Sequence, residues 1–297
     1  MLQIVQFDSP LGGPGVGILK EGRVYRSRSY QTFQDVLADW DQAEARLTSP
    51  EGPPLLEERV VADASLIVPL APRTIFYAGA NYRDHIEEMS RHGFPLALDP
   101  RADGGMPWHN VKAAGSTVVG PASIIERPEG SAMLDWELEL AVVIGRTARK
   151  VSVDQALRCV AGYTVANDLS ARDRITRSGF SDNSPFRWDW VGQKSFDGSC
   201  PLGPALTPAR LVADVQRLEM KLWVNGILRQ HSNTSQMIFT VAEQVAFLSR
   251  RFTLQPGDLI LTGSPAGVGL ASNTFLRAGD KVRQWIDCIG EFEFAIS

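Results

Sequence analysis

The stretch Asp135-Trp136-Glu137-Leu138-Glu139 runs directly into Leu140-Ala141-Val142-Val143-Ile144-Gly145. An apolar run closed by glycine predicts a buried strand. Side chains alternate between the two faces of a strand. Asp135, Glu137 and Glu139 are therefore expected on one face, with Trp136, Leu138, Leu140 and Val142 on the other. Ala141 and Val143 continue the acidic face with apolar side chains, so that face is more than a solvated surface. Carboxylates crowded on it repel, each like pair costing roughly 4 kcal/mol at ~4 Å and an effective dielectric near ~20. Protonation, basic partners or a cation would relieve the repulsion. No Lys or Arg lies within the stretch, and an all-oxygen set suits a hard divalent ion such as Mg²⁺, Mn²⁺ or Ca²⁺. An edge strand with a wet acidic face is the alternative reading of the same residues.

Around this stretch the composition is that of a globular protein. The 297 residues are 44% hydrophobic and 22% charged, and the length suits one or two domains. A net charge of -4 argues against a nucleic-acid surface. Cys159, Cys200 and Cys288 are widely spaced and form no CxxC pair, which argues against zinc and against a disulfide framework. The start, MLQIVQFDSP, has neither a basic n-region nor a long apolar run, so no signal peptide or membrane span is expected. A cytoplasmic protein is the expectation.

Residues 1–65 read as a small β-rich unit. Its strands are expected at Leu2–Phe7, Val16–Leu19 and from Val24 onward, followed by one helix from Thr32 to Leu47 with Thr32 as N-cap. Pro50, Gly52, Pro53 and Pro54 mark a linker. Residues 66–297 read as the main domain. Asn81 is placed to cap a helix on which His85 and Glu88 are i,i+3 neighbours. A histidine oriented by a carboxylate is a tuned general base, whereas a solvated helix pair is the plain alternative. Residues 91–111, rich in Gly, Pro and Asp, read as a lid. A strand is expected over Ala161–Asp168, where the small Ala166 leaves room near Asp168. By themselves Asp168 reads as a turn residue and Lys194 as a surface lysine. Asn225-Gly226 marks a hairpin, Thr240–Phe252 an amphipathic helix, and Leu259–Thr262 a strand entering the glycine-rich run Gly263–Gly269. That run lacks the Gly-Lys-Ser/Thr ending of a phosphate loop.

Six motifs, in order, resemble the fumarylacetoacetate hydrolase family. They are Asn81–Met89 (NYRDHIEEM), Asp135–Gly145 (DWELELAVVIG), Val165–Asp173 (VANDLSARD), Lys194–Pro204 (KSFDGSCPLGP), Val224–Phe239 (VNGILRQHSNTSQMIF) and Leu254–Gly269 (LQPGDLILTGSPAGVG). The resemblance implies an α+β, β-rich fold, a mixed β-sheet roll with a small N-terminal β-rich domain. It implies Mg²⁺ or Mn²⁺, with Ca²⁺ as a further candidate, on Glu137, Glu139 and Asp168, and leaves Asp135 to support them. It places a water-activating pair on His85 and Glu88 and a catalytic lysine on Lys194. Arg172, Ser264 and Tyr82 fall among the substrate contacts, with Ile175 where several members carry a glutamine. Trp108, His109 and Asn110 on the lid map to no role. The implied activity is hydrolysis of a C–C bond in a 2,4-diketo acid, acylpyruvate or related β-diketone, through an enolate at the metal. Decarboxylation of an oxaloacetate-like acid or isomerisation of a 2-hydroxy-dienoate is the alternative, and a non-catalytic ligand-binding protein on the same fold is a reading from another class. The implied partners are a small keto acid or diketone and a second copy of the chain, with no nucleic acid or membrane.

Overall fold

The computed structural model describes residues 2–10, 12–47, 56–61, 63–93 and 99–297. Leu138–Ile144 is a strand with every residue buried. It pairs antiparallel with Val160–Asn167 on one side and with Leu259–Leu261 on the other. It is therefore a central strand, and the wet-edge reading fails. Its alternation divides two cores. Leu138, Leu140, Val142 and Ile144 pack with Met220, Leu222, Val282 and Phe294. Ala141 and Val143 pack with Ile4, Phe33, Trp40 and Leu261.

The fold is α+β and strand-rich. A twelve-stranded mixed sheet runs in the order Leu56–Val60, Arg23–Ser27, Gly15–Lys20, Leu2–Asp8, Cys200–Pro208, Val160–Asn167, Leu138–Ile144, Leu259–Leu261, Ile75–Ala78, His109–Lys112, with two short strands paired off this path. The N-terminal strands join it where Ile4 pairs with Leu206. A five-stranded sheet covers one face, in the order Ile227–Asn233, Glu219–Val224, Lys281–Ile286, Gly290–Ile296, Ile124–Ile125. Its hairpin turns at Asn225 (φ 51°) and Gly226 (φ 78°), the two positive φ values of a type I′ turn.

Local signals mostly hold. Thr32 and Thr240 each form a capping box, with Asp35 and Glu243. The single helix expected from Thr32 to Leu47 is instead two, Phe33–Ala38 and Trp40–Leu47. Asp39 leaves the helical region at φ −114° and ψ 31°, and its carboxylate accepts the Tyr30 hydroxyl at 2.7 Å. The expected linker at 50–54 lies outside the described residues. Among the described residues, no helix is long and apolar enough to cross a membrane.

Trp40 is 2% exposed and belongs to the core shared by the N-terminal helices and the central strand. Trp40→Ala is expected to cost about 3–5 kcal/mol in urea unfolding. A cost below about 1 kcal/mol would show that this contact does not hold the N-terminal helices to the sheet.

Candidate metal centre and active-site cavity

Glu137 sits where the short strand Leu134–Asp135 ends and Leu138–Ile144 begins. The break matters because it lets Glu137, Glu139 and Asp168 converge. One carboxylate oxygen from each lies within 4.8 Å of the others, and all three side chains are buried. The backbone sets this up. Asp168 N donates to Glu137 O at 2.9 Å, and the Asn167 side chain accepts from Glu137 N at 3.0 Å while donating to Gln284 Oε1 at 2.9 Å. Glu139 Oε2 accepts from Gly263 N at 2.5 Å. Gly263 has φ +100°, and a Cβ there would lie 2.8 Å from Asn81 Cβ, so only glycine brings this N–H to Glu139.

Asn81 does not cap the next helix. Its side chain donates to Phe239 O and Thr262 O at 3.0 and 2.8 Å and accepts from Phe239 N at 2.9 Å. Tyr82 is the N-cap of the helix Arg83–Arg91, without a side-chain cap bond. Asn81 thus ties the base of this helix to the sheet strand that leads into Gly263.

Three cations enter the site. Lys194 Nζ lies 2.7 Å from Glu137 Oε2 and 2.6 Å from Asp168 Oδ2. Arg172 spans Asp135 at 2.9 Å and Glu137 at 2.5 Å. The third, Lys112, has no sequence signal. It is buried, 2.9 Å from Asp168 Oδ1, and also donates to Ser199 O and Oγ. Its strand pairs with Ile75–Ala78, where it stands opposite Ile75. Asp135 completes its own hydrogen bonding with the N–H groups of Gly269 and Leu270 at 2.6 and 3.0 Å.

Four carboxylates (Asp135, Glu137, Glu139, Asp168) thus meet three cations (Lys112, Lys194, Arg172), and the shortfall falls on Glu139. Burial would raise the Glu137 carboxyl, but Lys194 and Arg172 outweigh it and hold it at about 2. Burial, then the charges of Asp168 and Glu137, push the Glu139 carboxyl well above the usual carboxylate range. Its Oε1 is buried without a hydrogen-bond partner. A buried oxygen trio with one orphaned acceptor, on the carboxyl whose charged form its surroundings disfavour, fits a hard divalent cation that would stabilise that form.

Beside the trio lies a cavity of about 250 Å³. His85, Glu137, Arg172, Lys194, Ser264 and Ile175 line it. His85 Nδ1 is buried and unpartnered, and burial pushes the ring down to about 4, so it is neutral at pH 7. Glu88, expected to orient it, instead accepts from Gly267 N at 2.8 Å. A free backbone N–H in the glycine-rich loop has captured the carboxylate. Tyr82, expected to touch substrate, lies in the core with its hydroxyl 3.2 Å from Met220 Sδ and lines no part of the cavity. Its place as N-cap turns the ring inward. Ser264 Oγ accepts from Gln230 Nε2 at 2.9 Å, and Gln230 Oε1 accepts from Leu138 N at 3.0 Å. Of the expected lid, residues 94–98 lie outside the described residues. Trp108 and Asn110 line the cavity, whereas His109 pairs with Gln244 at 3.1 Å. A larger cavity of about 900 Å³, beside Arg146 and Tyr163, includes none of the trio.

Two outcomes follow from these electrostatics. Mn²⁺ or Mg²⁺ is expected to raise the wild-type Tm, and Glu139→Gln to abolish that rise while folding normally without the ion. An equal rise in both proteins would contradict the assignment of Glu139. For His85, the unfolded ring titrates near 6.5 and the folded ring near 4. Between those values the unfolded chain binds more protons, so the contribution is complete above pH 6.5 and is lost as the pH falls toward 4. Wild type should therefore lose more stability than His85→Asn across that window in urea titrations. Equal losses would contradict a buried neutral ring.

A family model for the Fumarylacetoacetate (FAA) hydrolase C-terminal region matches residues 74–297. The mitochondrial oxaloacetate tautomerase FAHD2B of Bos taurus is 36% identical over 301 residues, covering 97% of this chain and 90% of that protein. The fumarylacetoacetate hydrolase of psychrophilic Exiguobacterium antarcticum has a similar structure, with a TM-score of 0.80 at 29% identity over 100% of this chain and 99% of that one. The fumarylpyruvate hydrolase of Pseudomonas aeruginosa, solved with Mn²⁺ and pyruvate, gives 0.65 at 31% identity over 81% of this chain and 92% of that one. The six motifs, the strand-rich fold and a family match across three quarters of the sequence agree: this chain belongs to the fumarylacetoacetate hydrolase family.

Proposed function

We propose that this protein is a divalent-metal-dependent hydrolase that cleaves the C3–C4 bond of a 2,4-dioxo acid of the acylpyruvate type. The observation that carries the reading is His85. Its ring is neutral, its Nδ1 is unpartnered, and it shares a cavity with Glu137 and Lys194. Glu137, Glu139 and Asp168 would hold Mg²⁺ or Mn²⁺, which supplies Lewis-acid polarisation of the 2-oxo group and charge for the enolate. The Mn²⁺ in the Pseudomonas aeruginosa relative supports that choice of ion.

In this reading His85 Nδ1 takes a proton from water, and the hydroxide oxygen bonds to C4. The C3–C4 electron pair leaves with C3, giving a carboxylic acid from the acyl half and the enolate of pyruvate. Lys194, held on Glu137 and Asp168, presents an ammonium to the developing negative charge. Protonated His85 returns its proton to C3. The chain's share of the work is thus one proton moved out and back and one positive charge held in place. Glu88 supports this by anchoring the helix of His85 to the loop at Gly267.

A second reading has its own support. A base that acts alone can shuttle a proton between carbon and oxygen without attacking water, and Glu88 makes no bond to His85. Tautomerisation, isomerisation or decarboxylation of an oxaloacetate-like acid needs no more than that, and the bovine relative is an oxaloacetate tautomerase. Product analysis with a panel of 2,4-dioxo acids and Mn²⁺ separates the two. The proposal expects pyruvate plus a carboxylic acid, with His85→Ala lowering the rate by about 10²–10⁴-fold. Enol–keto conversion of oxaloacetate with no dioxo acid cleaved would favour the second reading.

A further inference from the structure

The cavity lining is of two unlike kinds. His85, Glu137, Arg172, Lys194 and Ser264 carry polar or charged groups, whereas Met89, Trp108, Ile175, Trp190 and Leu270 are apolar. The proposed chemistry uses the first set and leaves the second without a task. That wall is built rather than incidental. The Trp108 ring lies against Gly79, where a Cβ would stand 2.4 Å from Trp108 Cε3, and Gly79 N donates to Trp108 O at 2.9 Å. Ring and backbone are therefore both fixed from behind. Trp190 meets Trp108 at 87° with centroids 5.7 Å apart, and Trp188 stacks on Trp190 at 6.5 Å. The two rings lining the cavity form a corner whose edge-to-face geometry aromatic pairs favour.

The same wall is tied to the reacting end. Trp190 begins the short helix Trp190–Lys194 that ends on the site lysine. Asp189, just before it, caps that helix through Gly192 N at 2.8 Å, pairs with Arg177, and donates its own N–H to Ile175 O at 2.8 Å. Ile175, Trp190 and Lys194 are thus held in one frame. Electrostatics set the character of what can enter. The cations lining the cavity, Arg172 and Lys194, are both committed to buried carboxylates. Among the described residues no uncommitted positive side chain lines the cavity, and its unpartnered donors, the Tyr77 hydroxyl and Asn110 Nδ2, are neutral, so a distal carboxylate there would lose its water without gaining a counter-charge.

We infer that Trp108, Ile175 and Trp190 are specificity-determining residues for a 2,4-dioxo acid whose distal arm is uncharged and apolar, alkyl or aryl, rather than one ending in a second carboxylate. The inference rests on the proposed function and adds the identity of the arm.

N-substituted oxamates carry the 2-oxo-acid end and a variable arm, with an amide nitrogen in place of C3, so they lack the C3–C4 bond of the proposed reaction. Calorimetry on the Mn²⁺-loaded protein compares oxamate, N-phenyloxamate and N-oxalylglycine, whose arm ends in a carboxylate. The expected result is N-phenyloxamate binding about tenfold or more tighter than N-oxalylglycine. Trp108→Ala should erase that preference by weakening N-phenyloxamate far more than oxamate, and Gly79→Ala, which displaces the ring without removing it, should do the same. Ile175→Arg should shift the preference toward N-oxalylglycine. Oxamate binding with no discrimination between the arms, or with N-oxalylglycine preferred by the wild type, overturns the inference and leaves the proposed function standing. Failure of oxamate itself to bind overturns both.

Discussion

A single uncompensated carboxylate, Glu139, governs this structure. Burying an ion is tolerable only when opposite charge and hydrogen bonds replace its water. Glu137 and Asp168 have that replacement in Lys194, Arg172 and Lys112, but Glu139 has only one backbone N–H on Oε2 and nothing on Oε1. A site with this imbalance is poised for a divalent cation. One carboxylate oxygen from each of the three residues lies within 4.8 Å of the others. The cost of gathering them is borne by the sheet.

That cost explains how much of the core is polar. Asn81, Asn167 and Gln230 are buried, and each bridges segments distant in sequence. Asn167 sets the backbone at Glu137. Gln230 joins Leu138 N to Ser264, and Asn81 joins the helix of His85 to the strand leading into Gly263. Half-satisfied networks are expensive, whereas connected ones specify one arrangement. Through these bridges the acidic trio, His85 and the glycine-rich loop share one frame. Asp84 and Glu88 extend it by anchoring their helix to Ser232 and to the loop at Ala266 and Gly267.

Much of this was legible in the sequence where local rules decide. Alternation along Leu138–Ile144 separates the two cores as the pattern implies, and the buried continuation at Ala141 and Val143 marked the acidic face as interior. The Thr32 cap and the Asn-Gly hairpin are short-range effects and fall where expected. Residues whose roles depend on distant partners were harder. Lys112 looks like any lysine between Val111 and Ala113 until the sheet buries it. Asn81 stands where a helix cap belongs, yet Phe239 and Thr262 claim its side chain. Tyr82 sits within a motif otherwise facing the site, but the turn of the chain sends its ring into the core. Glu88 has the right spacing for His85, and a competing N–H from a loop nearly 180 residues away takes it. Spacing sets which groups can meet; the competing donors that decide which do meet come from elsewhere in the chain.

The most direct test of the central claim is anomalous diffraction at the manganese edge from crystals grown with Mn²⁺. A peak within coordination distance of Glu137, Glu139 and Asp168, with Glu139 Oε1 among the ligands, is the result this account predicts. A well-ordered site with no peak at the trio, or a peak that leaves Glu139 uncoordinated, would contradict it.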